Sequence, residues 1–308
     1  MLWIFFALLG ALANAAYFII VKKYIIALDP KLLTGIGFTL GGCLLFLVSA
    51  YRGFPVPGPD FFSAVAVTSI LNIIGIHLIL KALSSSDLSL SIPMLSFTPA
   101  FLIGTSYILL HEVPSLFGFF GICIIVSGSY VLNISEGHEH FLDPVRSMVR
   151  NRGSWYMLIV AFLFAISFNF DKIVLLNSDP FFGMALTILL IGIAFLIVSL
   201  YSRYTVWHGY QNPSGQETGN HETVITPLPR WQFAGLCLLI GLFAALEAAS
   251  INVDYTLQIV PYVIAIKRLS IIFMVLYGTL VFSEGDIQKR ITGAALMVAG
   301  AIIILLFA

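Results

Sequence analysis

Apolar runs of about 20 residues, parted by short polar turns, fill most of this chain, and a helix needs about that length to cross a bilayer. The runs predict spans at 2–26, 31–51, 61–82, 88–110, 114–133, 155–176, 181–201, 231–252, 257–282 and 290–307. Transmembrane β-strands would show short alternating segments instead. The pattern therefore predicts an all-α integral membrane protein with ten transmembrane helices.

The runs are not independent of one another. A shift of 172 positions lays Glu112 on Glu284, Gly121 on Gly293 and Gly128 on Gly300. A shift of 150 lays Lys22 on Lys172, Asp29 and Pro30 on Asp179 and Pro180, and Tyr51 on Tyr201. The two shifts differ by 22 residues, an insertion between Tyr201 and Trp231. Such self-similarity is the mark of an internal repeat. It predicts a first five-helix repeat at 1–133, a connecting loop at 134–154 and a second repeat at 155–308 with an inserted loop at 202–230. An odd number of spans per repeat turns the second copy upside down, which predicts two inverted halves.

Breakers refine the picture. Pro93 and Pro99 interrupt the fourth run, Pro261 opens the ninth, and Gly35, Gly37, Gly41 and Gly42 crowd the second. The glycines suit close helix contacts. The prolines free backbone carbonyls, which is tolerable beside a partner or a water-filled cavity. His138 and His140 fall in the connecting loop, with no third metal ligand at a diagnostic spacing; the tract reads as a solvated loop.

Composition adds exclusions. Only 10% of the 308 residues are charged and 59% are hydrophobic, against roughly 25% charged in soluble domains. The net charge is zero and the basic residues form no run, which argues against nucleic acid as a partner. Cys43, Cys123 and Cys237 lie in apolar runs without close spacing and read as small packing residues. The first residues, MLWIFFALLGALANAAYFII, carry no basic leader and read as the first span. Lys22, Lys23, Lys31, Lys81, Arg146, Arg150, Arg152, Arg203, Arg230, Lys289 and Arg290 gather on the side opposite the N-terminus, which by the positive-inside rule places both termini outside.

Polar groups inside apolar runs are the candidates for function, because intramembrane charges are costly. They are Asn14, Asn72, His77, Asn169, Asp171, Lys172, Glu247, Lys267 and Arg268. Lys267 and Arg268 fall near mid-membrane and can present cationic donors to an anionic or zwitterionic solute, with Glu247 as counter-ion or proton carrier. The competing reading is a permanent ion pair among Glu247, Asp254 and Lys267, or snorkelling. Lys22 and Lys172 stand near span ends, where snorkelling competes with a solute role, and the neighbouring Asp171 weakens the latter for Lys172. Asn72 and His77 are five residues apart and point to different faces of the third helix. Glu112 and Glu284 close the helix pairs 4 to 5 and 9 to 10, placed to accept N–H groups at the start of the next helix.

The blocks PMLSFTPAFLIGTSYILLHEVPSLFGFFGICIIVSG and AIKRLSIIFMVLYGTLVFSEGDIQKRITGAALMVAGAIIIL resemble the two copies of the EamA-type domain of the drug/metabolite transporter superfamily. The resemblance spans most of the chain outside the two long loops and implies a secondary carrier. Its solute would be a small polar metabolite, such as an amino acid, a nucleotide-sugar or another anionic or zwitterionic species, moved by alternating access as efflux or exchange. It marks Lys267 and Arg268 as substrate-binding and Glu112 and Glu284 as turn acids; the residue reading adds Glu247, Asn14, Asn72, His77 and Asn169 to the substrate-binding set. It also implies cytoplasmic termini, the opposite of the charge count. No P-loop is present, so a proton or a counter-substrate is the expected coupling partner, and no cofactor or metal is expected. The expected location is the plasma (inner) membrane, multi-pass. The alternatives are an intramembrane lipid-modifying enzyme, for which no paired carboxylates or HExxH stand out, and a non-transporting scaffold or receptor.

Overall fold

The computed structural model describes residues 2–24, 29–85, 92–133, 152–210, 229–274, 277 and 287–307. Their order is α1 (Leu2–Tyr24), α2 (Pro30–Arg52), α3 (Phe61–Ser85), a 3₁₀ segment (Ile92–Phe97), α4 (Thr98–Leu110), α5 (Leu116–Asn133), α6 (Arg152–Leu176), α7 (Phe182–Tyr210), α8 (Arg230–Tyr255), α9 (Val260–Lys267) and α10 (Ile287–Phe307). The all-helical expectation holds for the described residues. Among the described residues six helices are long and apolar enough to cross a membrane, and Met94–Leu110, Leu116–Val131 and Ile291–Phe307 are shorter apolar helices.

Local chemistry sets several boundaries. The two Asp-Pro pairs act alike: Asp29 Oδ1 accepts the Lys31 N–H at 2.9 Å, and Asp179 Oδ1 accepts those of Phe181 and Phe182 at 2.9 and 2.5 Å. Each carboxylate satisfies donors that a helix start leaves unpaired. Asp29 also uses its second oxygen, accepting from Ser199 Oγ of α7 at 2.7 Å. The fourth run breaks where its prolines sit: residues 92–97 wind as 3₁₀, Thr98 Oγ1 donates to the Leu95 carbonyl at 2.7 Å, and Pro99 enters the first turn of α4.

Three expectations need correction. The membrane span of α7, Phe182–Ser202, ends where expected, but its helix runs on to Tyr210, into the stretch expected to be loop from residue 202. The ninth span begins at Val260 and is broken at Arg268 and Leu269, without a glycine or proline there. The cause is visible in the ladder: Leu269, Ile271 and Ile272 donate to the carbonyls three residues back, at 2.9 to 3.0 Å, so the turn tightens. Cys43 and Cys123 are exposed on the outer surface, and only Cys237 packs inside. His138, His140 and Glu284, and the side chain of Lys22, lie outside the described residues.

The helices pack as α5 on α10, α2 on α7, α3 on α6 and α1 on α8, with α8 also on α2 and α3 also on α7. Glycines make the closest seams. A Cβ on Gly121 would stand 2.9 Å from the Gly300 carbonyl oxygen, and one on Gly128 would stand 2.7 Å from that of Gly293. α5 and α10 therefore cross backbone to backbone, running in opposite directions. Gly41 meets the Gly241 carbonyl at 2.8 Å in the same way, joining α2 to α8. Here a side chain would force the helices apart. Large apolar side chains such as Leu47, Phe62, Ile108, Ile197 and Leu238 face outward, at 57–72% exposure, as the surface of a bilayer-embedded bundle must.

Candidate functional site

Four helices converge on one ion pair. Lys267, the last residue of α9, places Nζ 2.6 Å from Glu247 Oε1 of α8. Asn14 of α1 donates to the same oxygen at 2.8 Å, and the Phe168 ring of α6 lies under Nζ, 5.0 Å to its centroid. The pair is not sealed: the two side chains keep 16% and 17% exposure, deep in the bundle. Both bonds to Glu247 fall on Oε1, which leaves Oε2 for water or solute. Asp254 takes no part, so the triad weighed from the sequence reduces to a pair.

Arg268 turns away from Lys267, as consecutive helical residues must. Its Nη2 donates to Thr98 Oγ1 at 2.6 Å, at the very first residue of α4. In this conformation the group meets a hydroxyl of the neighbouring helix. The bond also joins the two interrupted helices at their breaks, Phe97 to Thr98 on one and Arg268 to Leu269 on the other.

The remaining candidates are placed elsewhere. Asn169 is 0% exposed and spends its amide within the bundle, accepting from Ser106 Oγ at 2.6 Å and donating to Thr105 Oγ1 and the Ala165 carbonyl. It fastens α4 to α6. Asn72 donates to Ser167 Oγ of α6 at 2.7 Å and to the Thr68 carbonyl at 2.9 Å. His77 lies one face away, as its spacing from Asn72 predicts, in an apolar groove of about 210 Å³ between α3 and α7 beside Ile74, Phe195 and Val198. The structure thus brings Lys267, Glu247 and Asn14 together, with Arg268 adjacent, and leaves Asn72, His77 and Asn169 apart from them.

A second ion pair lies at the end of the bundle. Lys172 Nζ is 2.5 Å from Glu112 Oε1 and donates to the Gln258 carbonyl at 2.8 Å, while Glu112 Oε2 accepts the Val260 N–H at 2.8 Å. Glu112 does cap a helix start, but that of α9 rather than the next helix in the chain. Lys172 is paired rather than snorkelling. The carboxylate accepts at a point where the helix dipole favours an anion.

Sequence reasoning passed over Thr98 and Phe168, and it gave Asp171 no partner beyond its neighbour Lys172. The two project about 100° apart and serve different neighbours. Thr68 of α3 donates to Asp171 Oδ1 at 2.5 Å and lies 2.7 Å from Ser167 Oγ. The signal that could have found it was the seam itself: Thr68 and Asn72 are four apart, as are Ser167 and Asp171, so each helix carries a polar stripe.

Residues 1–134 match the EamA-like transporter family. A solved crystal structure superposes on the chain with a TM-score of 0.67, covering 98% of each chain at 16% identity, which shows a shared fold. None of the curated proteins matches the chain.

Proposed function

We propose that this chain, an EamA-like unit over residues 1–134, is a secondary carrier for a small anionic or zwitterionic metabolite, and not an enzyme. The observation that carries the reading is the half-open Lys267–Glu247 pair inside a membrane bundle, beside a helix break. Intramembrane charges mark solute and ion pathways. Once parted, the pair offers one ammonium and one carboxylate, the complement of a zwitterion such as an amino acid; an anion alone would take Lys267 and leave Glu247 to Asn14. Phe168 supplies an apolar wall at the same spot.

Alternating access about two inverted five-helix repeats, 1–133 and 155–308, is the movement this reading requires. The packing supports it. Adding five to a helix number turns α1 on α8 into α6 on α3 and α8 on α2 into α3 on α7, and leaves α5 on α10 and α2 on α7 as they are. The glycine seam supports it too: Gly121 meets Gly300 and Gly128 meets Gly293, each crossing the repeat-matched positions. In a ten-span arrangement the chain is a multi-pass protein of the plasma membrane, coupled to a proton or a counter-substrate.

The test is a thermal-shift screen of amino acids, nucleotide-sugars and phosphorylated metabolites on the purified protein, since a ligand that binds the folded state raises its apparent stability. A hit that persists in Lys267→Met paired with Glu247→Gln would place the solute elsewhere. A hit lost in that pair, and transported by reconstituted vesicles, meets the proposal.

A further inference from the structure

Close to the end of α8 lies a carboxyl group that the site just described does not use. Asp254 is 0% exposed, and neither of its oxygens has a hydrogen-bond partner among the described residues. It stands seven residues beyond Glu247, about 10 Å along the same face of the helix. α1 runs antiparallel to that face, with Asn14 on Glu247 and Gly10 against Ile251, so the register brings Ala7 to the level of Asp254 and Trp3 one turn beyond it. Neither titrates.

The other groups at this end have partners of their own, Tyr255 excepted. On its own helix, Tyr255 is buried with its hydroxyl unpartnered. On α9, Tyr262 donates to Ser115 Oγ. On α6, Asp171 is held by Thr68 and Lys172 by Glu112 of the turn after α4. At the end of α2, Arg52 is exposed and lies over the Phe181 ring, and Asp179 caps the start of α7. Among the described residues no side chain bonds the Asp254 carboxyl, and a carboxylate buried without a partner is costly to keep ionised.

We propose that Asp254 is a proton-binding site of this protein. It holds its proton while this end of the bundle is closed and exchanges it with bulk water when the end opens; the O–H bond forms with a proton from water and breaks to return it, with no other reactant. The closing element is the turn that follows α8. The Asp254 carbonyl accepts the N–H groups of Leu257 and Gln258, both at 2.9 Å, so the residue is bonded to the turn that follows it. That turn is pinned by Lys172, which donates to the Gln258 carbonyl, and Lys172 is held in turn by Glu112. Parting Lys172 from Glu112 releases the cover over Asp254.

A role for this proton in coupling rests on the carrier reading, but its occupancy does not, and the experiment needs no solute. Infrared spectra of the purified protein in liposomes at neutral pH should contain the C=O band of a protonated side-chain carboxyl. Asp254→Asn should remove one carboxyl equivalent per chain. Should that variant not fold, Asp254→Glu keeps the acid and must move the band. A spectrum unchanged by both substitutions overturns the proposal and leaves the carrier reading standing; a failed metabolite screen leaves the infrared result standing. In Glu112→Gln paired with Lys172→Met, the band should bleach at least one pH unit lower than in the unaltered protein. A band that bleaches at the same pH would overturn the gating by Lys172.

Discussion

Two lysines of this bundle each lie against a glutamate, at 2.5 and 2.6 Å, and only their surroundings tell them apart. Lys172 and Glu112 are closed in by backbone: a carbonyl accepts from the lysine and an N–H donates to the second carboxylate oxygen. Lys267 and Glu247 share a single oxygen with Asn14, and the lysine's other neighbour is a ring face. Each charged atom of the first pair has a protein partner, and the pair acts as a clasp between three chain segments. The second has capacity to spare at much the same exposure, 16 and 17% against 12 and 11%. Unspent donors and acceptors, rather than charge or depth, separate the pair proposed to meet a solute from the pair that fastens the helices.

That contrast can be broken at either end. Lys172→Met leaves Glu112 as a buried charge without its counter-ion, and breaking such a pair costs about 3 kcal/mol; unfolding in detergent should show the loss, and adding Glu112→Gln should recover much of it. Were Lys172→Met neutral, the clasp would be ornamental. Lys267→Met alone strands Glu247 beside Asn14, so binding is best read in the double variant with Glu247→Gln. There the affinity for any solute found by the screen should fall at least about tenfold, or about 1.4 kcal/mol. The double variant should also be more stable than Lys267→Met alone, and the reverse order would show that the two do not act as a pair.

Thr98→Val is a smaller perturbation. It removes the hydroxyl that accepts from Arg268 and should cost about 1.5 kcal/mol, the lower range for a bond to a charged group, measured by the same unfolding assay. His77→Phe sets the floor. It lies in an apolar groove away from both pairs, and its effect on stability and on solute binding should stay within about 0.5 kcal/mol. A large loss of binding there would move the site to the seam of α3 and α7.

The helical runs and their glycine seams were legible because they are local signals: length in apolar residues announces a helix, and Gly121, Gly128, Gly293 and Gly300 stood at matched positions before any packing was known. The Asp-Pro turns were equally plain, and each became a helix cap. Partnerships were not legible in the same way. Glu112 reaches Lys172 and the N–H of Val260 across the bundle, and a sequence reading confined to neighbours assigned it to the nearest helix start. The break at Arg268 and Leu269 carries no proline or glycine to announce it, and so a continuous ninth span was expected. Asn169 looked like a candidate for its polarity alone; only the arrival of Thr105 and Ser106 from α4 reveals that its amide is already occupied.

The 3₁₀ segment at Ile92–Phe97 has a consequence in plain geometry. Six residues wound this way rise about 2.0 Å each instead of 1.5 Å and turn about 120° each instead of 100°. Rewound as α-helix, the same six would draw in by about 3 Å and rotate what precedes them by about 120°. The segment is a screw thread of two pitches, and Arg268, gripping Thr98 at its inner end, marks the nut against which it would turn.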